Sequence, residues 1–454
     1  MSVITNIFSF LKNPFRKADE AFALQSNDSK LIQNESFWSN VKKQFKKNKL
    51  AFFSLRIILL MAIIALFADF IANEKPLVAK INGQTYFPVL KSYAVDMGVS
   101  EWQKEFQNIE WKKLEYEWVI FPPIPYLPKN LDDNNIHSVS PLAVQNVPST
   151  RWRHWMGTDE LGHDIFAGMI HGTRIALIVG VVSMGIASII GIMMGAMAGY
   201  FGDERLKVSR ARLFLNLLFF VFALFYAFGS RGYILKDAIG VSFGIFFKEL
   251  LISLAIIALF MLTANFFTWV LKFIPFFKKK ITIPVDILVS RLIEIKVSIP
   301  TMFLIISIVA IAKPSLMIIM AIIGLTSWMG IARFIRAELL RVRNLEYIEA
   351  ANALGFSEFR IIFRHAIPNA IAPVLITIAF GIASAILIES SLSFLGIGVP
   401  AETLTWGSLL AAARQSPTAW WLAIFPGFAI FLTVTLYNLV GEGLTDALDP
   451  RLRK

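Results

Sequence analysis

The chain has 454 residues, of which 56% are hydrophobic and only 17% are charged, and its mean hydropathy is +0.61. These values exclude a soluble domain of this length and indicate an integral membrane protein. The absence of cysteine excludes disulfides, thiolate metal sites and a cysteine nucleophile. The formal net charge of +12 does not predict nucleic-acid binding, because the basic residues flank hydrophobic runs and no basic patch with interleaved aromatics occurs.

The N-terminal part of the sequence predicts a retained membrane anchor. Mostly polar residues precede the first hydrophobic run, and no small-residue cleavage site follows it. We therefore expect a cytoplasmic segment at 1–49 and a first transmembrane helix at 50–71. The segment 72–173 mixes charges of both signs with tryptophans and the proline-rich run FPPIPYLP. We expect it to form a small extracytoplasmic segment rather than an independent enzyme domain, because it has few histidines and lacks the HExxH spacing of a metalloenzyme.

Hydrophobic runs of roughly 18 residues or more, the length that crosses a bilayer, recur along the chain. The basic clusters that follow every second run place both termini on the cytoplasmic face. The second run is rich in small residues that allow close helix packing, namely Gly180, Gly185, Gly191, Gly195 and Gly199. The predicted spans are 50–71, 175–200, 212–228, 250–273, 287–312, 315–334, 370–388 and 419–440.

The polar segment at 341–369, RVRNLEYIEAANALGFSEFRIIFRHAIPN, lies between two of these runs. Its arginines predict a cytoplasmic loop. A helix is predicted over 345–354, with Leu345, Ile348 and Ala351 along one side. Gly355 is the expected C-cap, and Ser357 is the expected N-cap of a second helix that runs towards Pro368. Such a loop suits docking to a soluble partner, and an ordinary amphipathic helix at the membrane surface is the alternative.

The pattern Glu349-Ala350-Ala351, then Gly355, then Ile367-Pro368-Asn369 resembles the EAA loop of ABC-importer permeases. The resemblance implies that this loop carries the coupling helix gripped by a cytoplasmic ATPase. Small residues at 350 and 351 allow close approach, a carboxylate at 349 can pair with a cation, and glycine at 355 permits a sharp reversal. The coupling residues implied are Glu349, Ala350, Ala351, Gly355, Arg360, Arg364 and Pro368.

Further segments resemble the oligopeptide/dipeptide branch of the same permeases. They are HWMGTDELGHD at 154–164, with His163 where arginine is usual, ESSLSFLG at 389–396 and NLVGEGLTDALDPR at 438–451. Two stretches of the extracytoplasmic segment, 73–77 and 86–93, resemble the subgroup that includes the microcin C peptide permease. The resemblance extends from about residue 35 to the end of the chain, and it implies peptides or peptide-like compounds as substrates.

The fold implied is an all-α polytopic membrane protein with the ABC importer permease fold. About six family helices, a permease domain at 174–440 and a cytoplasmic C-terminus at 441–454 are expected. The family's second and third spans are nearly contiguous, whereas here 203–283 intervenes and predicts an inserted transmembrane hairpin; two segments lying in the interface are the alternative. Because two extra crossings return the chain to the same side of the membrane, this insertion leaves the loop at 341–369 on the cytoplasmic side. Beyond the insertion, the family order resumes with Asp286, Arg291, Glu294 and Pro300, and Arg291 is expected to pair with Glu294.

No GxxxxGK[ST] phosphate loop occurs, so the chain is not expected to hydrolyse ATP itself. The resemblance implies separate ABC ATPase subunits, a second permease subunit in a heterodimer and an extracytoplasmic solute-binding protein, working by alternating access in a bacterial inner membrane and in contact with its lipid. No catalytic residue, cofactor or metal site is predicted. A secondary transporter that works without an ATPase is the alternative, although inverted repeats and mid-span charges are not evident.

Two further groups of polar residues are candidate functional sites. Glu389, near the external end of the seventh span, is a candidate for the translocation path, with a packing role as the alternative. His163 and Asp164 are a weak candidate pair for a metal, and a role in loop structure is favoured.

Overall fold

The computed structural model describes residues 37–107, 109–241, 243–271, 273–311, 314–400 and 403–449. The predicted terminal segments, 1–49 and 441–454, therefore lie partly outside the described residues. Helix α1 (Phe37–Lys47) is followed by α2 (Lys49–Leu66) and the single-turn α3 (Ala68–Ile71). The Asn48 side chain accepts a hydrogen bond from the Ala51 N–H and so caps the first membrane-length helix (3.1 Å).

The extracytoplasmic segment folds around a small antiparallel sheet of strand order β2-β1-β3. The strands are β1 (Val78–Ile81), β2 (Gln84–Tyr86) and β3 (Trp118–Ile120), and α4 (Pro88–Asp96) follows the second of them. Four short 3₁₀ turns complete the segment: Lys104–Phe106, Trp111–Lys113, Asp133–Asn135 and Thr150–Trp152. Helix α5 (Ile165–Phe201) begins within the expected extracytoplasmic segment 72–173, at Ile165, where the Asp164 side chain caps it.

The insertion begins and ends at one point of the fold. It contains β4 (Lys207–Ser209), α6 (Arg210–Leu224), a π-helical turn (Phe225–Gly229), α7 (Gly232–Val241), α8 (Phe243–Leu271), α9 (Pro275–Lys278) and β5 (Lys280–Thr282). The two strands pair antiparallel, with Lys207 opposite Thr282. The chain therefore leaves the insertion where it entered it, as two extra crossings require.

The remaining helices complete the membrane domain. They are α10 (Val285–Val297), α11 (Thr301–Ile311), α12 (Leu316–Val342), α13 (Glu346–Ala353), α14 (Glu358–Ile361), α15 (Ile367–Ala370), α16 (Ala372–Phe394), α17 (Trp406–Ala412) and α18 (Trp420–Leu448). A π-helical turn, Ile362–Ala366, joins α14 to α15. The last span continues to Leu448, beyond the predicted end at Val440.

The predicted fifth span, 287–312, is not one straight helix. Seven helices among the described residues are long and apolar enough to cross a membrane, and α10 with α11 forms a further pair bent by 80°. The bend precedes Pro300, which cannot donate a backbone hydrogen bond and disfavours helix in the residue before it. The pair still links two opposite ends of the domain. At the start of α10, the Val285 N–H donates a hydrogen bond to the Gly202 carbonyl (3.2 Å). Just beyond the end of α11, the Ser315 N–H donates to the Gly398 carbonyl (2.9 Å).

Contacts define two faces of the membrane domain. Arg343 donates to the Gly199 carbonyl at the end of α5 (3.4 Å), so α5 ends where α12 ends. The Phe380 ring, on the second turn of α16, lies against Gly441 near the end of α18. Asn48 in turn donates to Asp446 (3.0 Å), which joins the start of α2 to the same end. We call this side, with residues 341–369, the loop face, and the opposite side, with residues 72–164, the cap face.

The centre of the domain is the contact between α5 and α12, which run past each other at backbone distance. A Cβ on Gly195 would lie only 2.5 Å from the Ala332 carbonyl oxygen, and one on Gly199 would lie 2.6 Å from that of Arg336. Gly191 meets Trp328 in the same way, which confirms these glycines of the predicted packing set. Gly185 does not belong to it, because no atom lies within 4 Å of the position its Cβ would occupy.

Candidate coupling surface

The helix α13 ends in a fully formed glycine cap. Gly355 adopts a φ of +74°, and its N–H donates to the Asn352 carbonyl (3.0 Å) while the Phe356 N–H reaches back to Ala351 (3.2 Å). This pair of hydrogen bonds forms the Schellman motif, which favours glycine at the helix end because other residues rarely adopt a positive φ. Ser357 then caps α14 by accepting from the Arg360 N–H (3.4 Å). Both caps confirm the predicted helix–turn–helix.

One side of α13 is buried against the membrane domain. Ile348 is inaccessible to solvent, and Ala351 is buried in the same cluster with Leu339 and Val342 of α12 and with Tyr200 at the end of α5. The buried side chains of the segment after α13 join this cluster; they are Ile361, Ile362, Ala366, Ile367 and Ala370. The loop is therefore a packed extension of α5 and α12, so a force on α13 acts directly on two spans.

Polar contacts fix the loop and its neighbours. Asn369 donates to the Tyr347 hydroxyl (3.2 Å), which joins the end of the loop to the coupling helix. One turn above the loop, the Arg336 guanidinium makes a two-pronged ion pair with Asp286 of α10, with Nη2 and Oδ2 2.7 Å apart. Bidentate pairs of this kind fix geometry as well as adding attraction. Arg291 and Glu294 also pair, as predicted (2.6 Å), but on an exposed surface.

The other side of the loop is exposed and partly aromatic. Phe359 is 70% exposed, its ring centroid lies 4.4 Å from that of Phe363, and the Arg360 guanidinium lies 4.9 Å from the Phe356 ring centroid. We call Phe356, Phe359 and Phe363 the aromatic patch. The aromatic patch was not predicted from the sequence, although three phenylalanines spaced three and four apart in a polar loop indicate an apolar surface on one side of a helix.

The predicted coupling residues divide between the two sides of the loop. Ala351 is buried and supports the helix from behind. The others are exposed: Glu349, Ala350, Gly355, Arg360, Arg364 and Pro368. The Glu349 carboxylate has no ion pair or hydrogen bond among the described residues, so it is free to meet a cation of a partner.

Glu389 lies inside the subunit. It is 1% exposed, and its carboxylate accepts hydrogen bonds from Ser393 (2.6 Å) and Ser390 (3.4 Å). The backbone around Ser390 packs so tightly against Gly407, at the start of α17, that a Cβ there would overlap it. In this conformation the carboxylate occupies a packing position between α16 and α17, and its part in a translocation path stays a prediction.

The cap face contains an ion cluster that the sequence analysis did not foresee. The fully buried His154 imidazole contacts Asp164 through Nδ1 (2.7 Å) and Asp132 through Nε2 (3.0 Å). Asp164 also caps α5 by accepting from the Ala167 N–H (2.6 Å). His163, for which a role in loop structure was favoured over a metal site with Asp164, contacts Asp159 (2.7 Å). We call Asp132, His154 and Asp164 the cap clamp, because they join the extracytoplasmic segment to the first turn of α5.

The contacts of the cap clamp favour the charged forms of His154 and Asp132. Burial opposes the charged form of His154, but the hydrogen bonds to Asp132 and Asp164 outweigh it and raise the pKa of His154. Burial likewise opposes ionisation of Asp132, yet the bonds from His154 and Asn135 lower the pKa of Asp132 to about 2. Burial lowers the pKa of Lys112 to about 8, and this ammonium lies over the Tyr126 ring, 3.6 Å from its centroid.

The described residues thus form a bundle of membrane-length helices with a packed helical loop at one face, which is the architecture of a polytopic membrane protein. Comparison with known proteins narrows this class to a kind of permease. Residues 280–454 match the family described as binding-protein-dependent transport system inner membrane component, and residues 36–88 match the N-terminal TM domain of oligopeptide transport permease C. Both matched segments resemble ABC-importer permeases, which agrees with the importer interpretation and gives no support to a secondary transporter.

Several characterised or named permeases resemble the chain over most of its length. The inner membrane ABC transporter permease protein YejE of Escherichia coli is 28% identical, over 92% of this chain and 97% of the relative. The peptidoglycan transport system permease protein YejE of Agrobacterium fabrum is 27% identical, over 91% and 92%. The dipeptide transport system permease protein DppC of Alkalihalophilus pseudofirmus is 29% identical, over 78% and 91%.

Proposed function

We propose that this chain is the transmembrane permease subunit of an ATP-driven importer for peptides or peptide-like compounds. The family matches support the importer class, and the relatives named for dipeptide, peptide and peptidoglycan transport support the substrate class. A second permease subunit, paired as a heterodimer, completes the translocation path, and the path opens to either side in turn. ATP hydrolysis takes place in separate ABC ATPase subunits.

The observation that carries the coupling mechanism is the two-sided environment of α13. Its inner side is locked to α5 and α12 through Ile348 and Ala351, whereas its outer side presents Glu349, and the exposed aromatic patch follows it in the same loop. Exposed aromatic anchors beside charged groups are typical of the centre of a protein–protein interface. When the ATPase subunits close, they move α13, and the packed cluster transmits that movement to the spans.

The orientation follows from the same assignment. The loop face is cytoplasmic because the ATPase subunits bind there, and the described ends near Asn48 and Asp446 lie on that face. The cap face lies outside the bacterial inner membrane, where a solute-binding protein delivers cargo. Selection of the cargo then rests largely with that binding protein.

Retention of the ATPase during purification tests this function. Phe359→Ala is expected to lower the amount of ATPase that co-purifies with the complex about tenfold or more, because truncation of a central aromatic anchor costs on the order of 2 kcal/mol. Phe431→Ala is the matched control, since Phe431 is 64% exposed but lies on the apolar α18. Equal losses in the two variants would contradict the docking assignment.

A second pair of variants separates the shape of the loop from its contacts. Gly355→Val places a β-branched residue at a φ of +74°, whereas Gly355→Asn places one that tolerates this conformation; no atom crowds either Cβ. The valine variant is expected to lose dipeptide-stimulated ATP hydrolysis in reconstituted vesicles, and the asparagine variant to keep most of it. Transport by the purified chain alone, with no ATPase present, would overturn the proposal.

A further inference from the structure

The base of the inserted hairpin contains a cavity of about 350 Å³ with a cationic rim. Three cations from three different elements line it, and α8 closes another side: the cations are Lys207 of β4, Arg212 of α6 and Lys280 of β5. The pairing of β4 with β5 holds the two lysines on neighbouring strands, since Lys280 lies opposite Ser209 and Lys207 opposite Thr282. The position of the charges is therefore set by the fold of the ribbon.

These three cations lack a counter-ion in the part of the chain that the structure describes. None of them forms an ion pair with a carboxylate among the described residues. The indole of Trp269 lines the same cavity, and its N–H has no hydrogen-bond acceptor in the described part of the chain. The cavity thus presents positive charge and a hydrogen-bond donor to whatever fills it, which selects an anionic group.

An apolar groove continues directly from the cationic cavity. A second cavity of about 360 Å³ shares Val208 and Arg212 with the first and runs between α6 and α8. Its remaining lining is mostly apolar: Leu213, Asn216, Leu217, Phe220, Met261 and Ile283. A ligand that fills both cavities must have an anionic head and a hydrocarbon part.

The position along the membrane normal agrees with such a ligand. The ribbon starts beside Gly202, which contacts Arg343 of the loop face, and α6 and α8 run from it as membrane-length helices. The cations therefore lie at the headgroup level of one leaflet, and the groove lies at the level of its acyl chains.

We propose that Lys207, Arg212 and Lys280 bind the headgroup phosphate of an anionic phospholipid, with one acyl chain in the groove between α6 and α8. The identity of this leaflet as the cytoplasmic one rests on the proposed function. The lipid site itself does not, because it is tested on the permease without ATPase or cargo. Positive charge complementary to the phosphate and an apolar groove of acyl-chain character select a lipid over a soluble anion.

Lipid retention by the purified full chain tests the proposal. The protein is equilibrated in detergent with equal amounts of phosphatidylglycerol and phosphatidylcholine, stripped of excess lipid and analysed by native mass spectrometry. Phosphatidylglycerol is expected to be retained preferentially, by about tenfold or more. Each cation near an anionic headgroup contributes about 1 kcal/mol, or roughly fivefold in binding, so Lys207→Gln/Lys280→Gln should lower that retention on the order of 25-fold.

Two matched variants separate a defined site from a general basic surface. Lys278→Gln/Lys279→Gln removes the same charge from the same exposed segment but outside both cavities, and should change retention less than about twofold. Lys207→Arg/Lys280→Arg keeps the charge and should retain the lipid, which also shows that changes at these positions leave the fold intact. Equal loss in the two glutamine variants would overturn the proposal, as would equal retention of the two lipids.

A competition experiment distinguishes a lipid from a free phosphate. Soluble glycerol phosphate lacks acyl chains and should not displace phosphatidylglycerol at a comparable concentration. Leu217→Trp narrows the groove without changing charge and should lower retention several-fold. Displacement by glycerol phosphate, together with unchanged retention in the tryptophan variant, would assign the cavity to a soluble anion and overturn the lipid site.

Discussion

The central pair α5 and α12 and the inserted pair α6 and α8 are both apolar and membrane-long, yet they are packed very differently. In the most apolar stretch of each helix, 44% and 50% of residues are buried in the central pair, against 22% and 11% in the inserted pair. The central helix α5 carries glycines at its contact, whereas the commonest residues of the inserted helices are leucine and phenylalanine. Hydrophobicity places a helix in the membrane, and small residues decide whether it lies at the centre of the bundle.

The inserted pair is held mainly to itself. The Tyr226 and Phe260 rings stack with centroids 5.6 Å apart, and Ser253 donates to the Ala227 carbonyl (2.9 Å). Arg231 and Glu249 form a partly buried ion pair (2.5 Å) near the far end of the hairpin. These contacts join the π-helical turn after α6, and the residue Arg231 beyond it, with α8, and most of the aromatic surface of the hairpin is left exposed to lipid, so the hairpin is an addition to the permease bundle.

The strongest test of the contrast is at Gly195. Gly195→Leu forces a side chain against the Ala332 backbone, which cannot move aside as a flexible side chain would, and should cost about 3 kcal/mol or more. We expect little folded protein in size-exclusion chromatography after membrane extraction. Gly185→Leu is the control on the same helix, since its Cβ meets no atom within 4 Å. Similar yields of the two variants would show that the close contact does not stabilise the bundle.

A more local effect is expected at the cap clamp, which holds the start of the central helix and has no counterpart in the described part of the hairpin. His154→Gln leaves Asp132 and Asp164 without their shared cation, and loss of one partner of a buried ion pair costs about 3–5 kcal/mol. Hydrogen exchange of residues 118–164 should increase, while exchange in α12 stays nearly unchanged. An equal increase of hydrogen exchange in residues 118–164 and in α12 would show that the extracytoplasmic segment and the helix bundle unfold as one unit.

The clamp also predicts a pH dependence. Because the pKa of His154 is raised above its usual 6.5, its stabilisation is fully present below that value and is lost as the pH rises through the folded-state pKa. Lys112 acts in the opposite direction, because a pKa lowered from 10.5 to about 8 makes the fold more stable as the pH rises through that interval. Hydrogen exchange of residues 118–164 should increase at alkaline pH in the native chain. If this increase is absent from His154→Gln, the pH dependence is assigned to His154.

Much of this architecture was predictable, since span length, basic flanks and the caps of α13 are local signals. The bend between α10 and α11 was missed although Pro300 was noted, because a proline permits a kink in a membrane helix without fixing its angle. The cap clamp was missed because Asp132 is far from His154 in sequence and the pairing depends on tertiary folding. The burial of Glu389 also could not be predicted, since one helix pattern does not show which neighbour covers it.

The smallest effect is expected from removing the hairpin altogether. Leu206 and Ile283 are already joined by a backbone hydrogen bond (2.9 Å), so residues 207–282 can be replaced by an Asn-Gly turn. Because the hairpin packs mainly on itself, the Tm of the remaining bundle should fall by only a few degrees, and ATPase co-purification should persist. Removing 210–229 alone is the informative control, because it leaves an odd number of crossings and places residues 341–369 on the wrong face. If deletion of 207–282 destroys the fold as deletion of 210–229 does, the hairpin is an integral part of the bundle. The inserted helices would then stabilise the protein as α5 and α12 do.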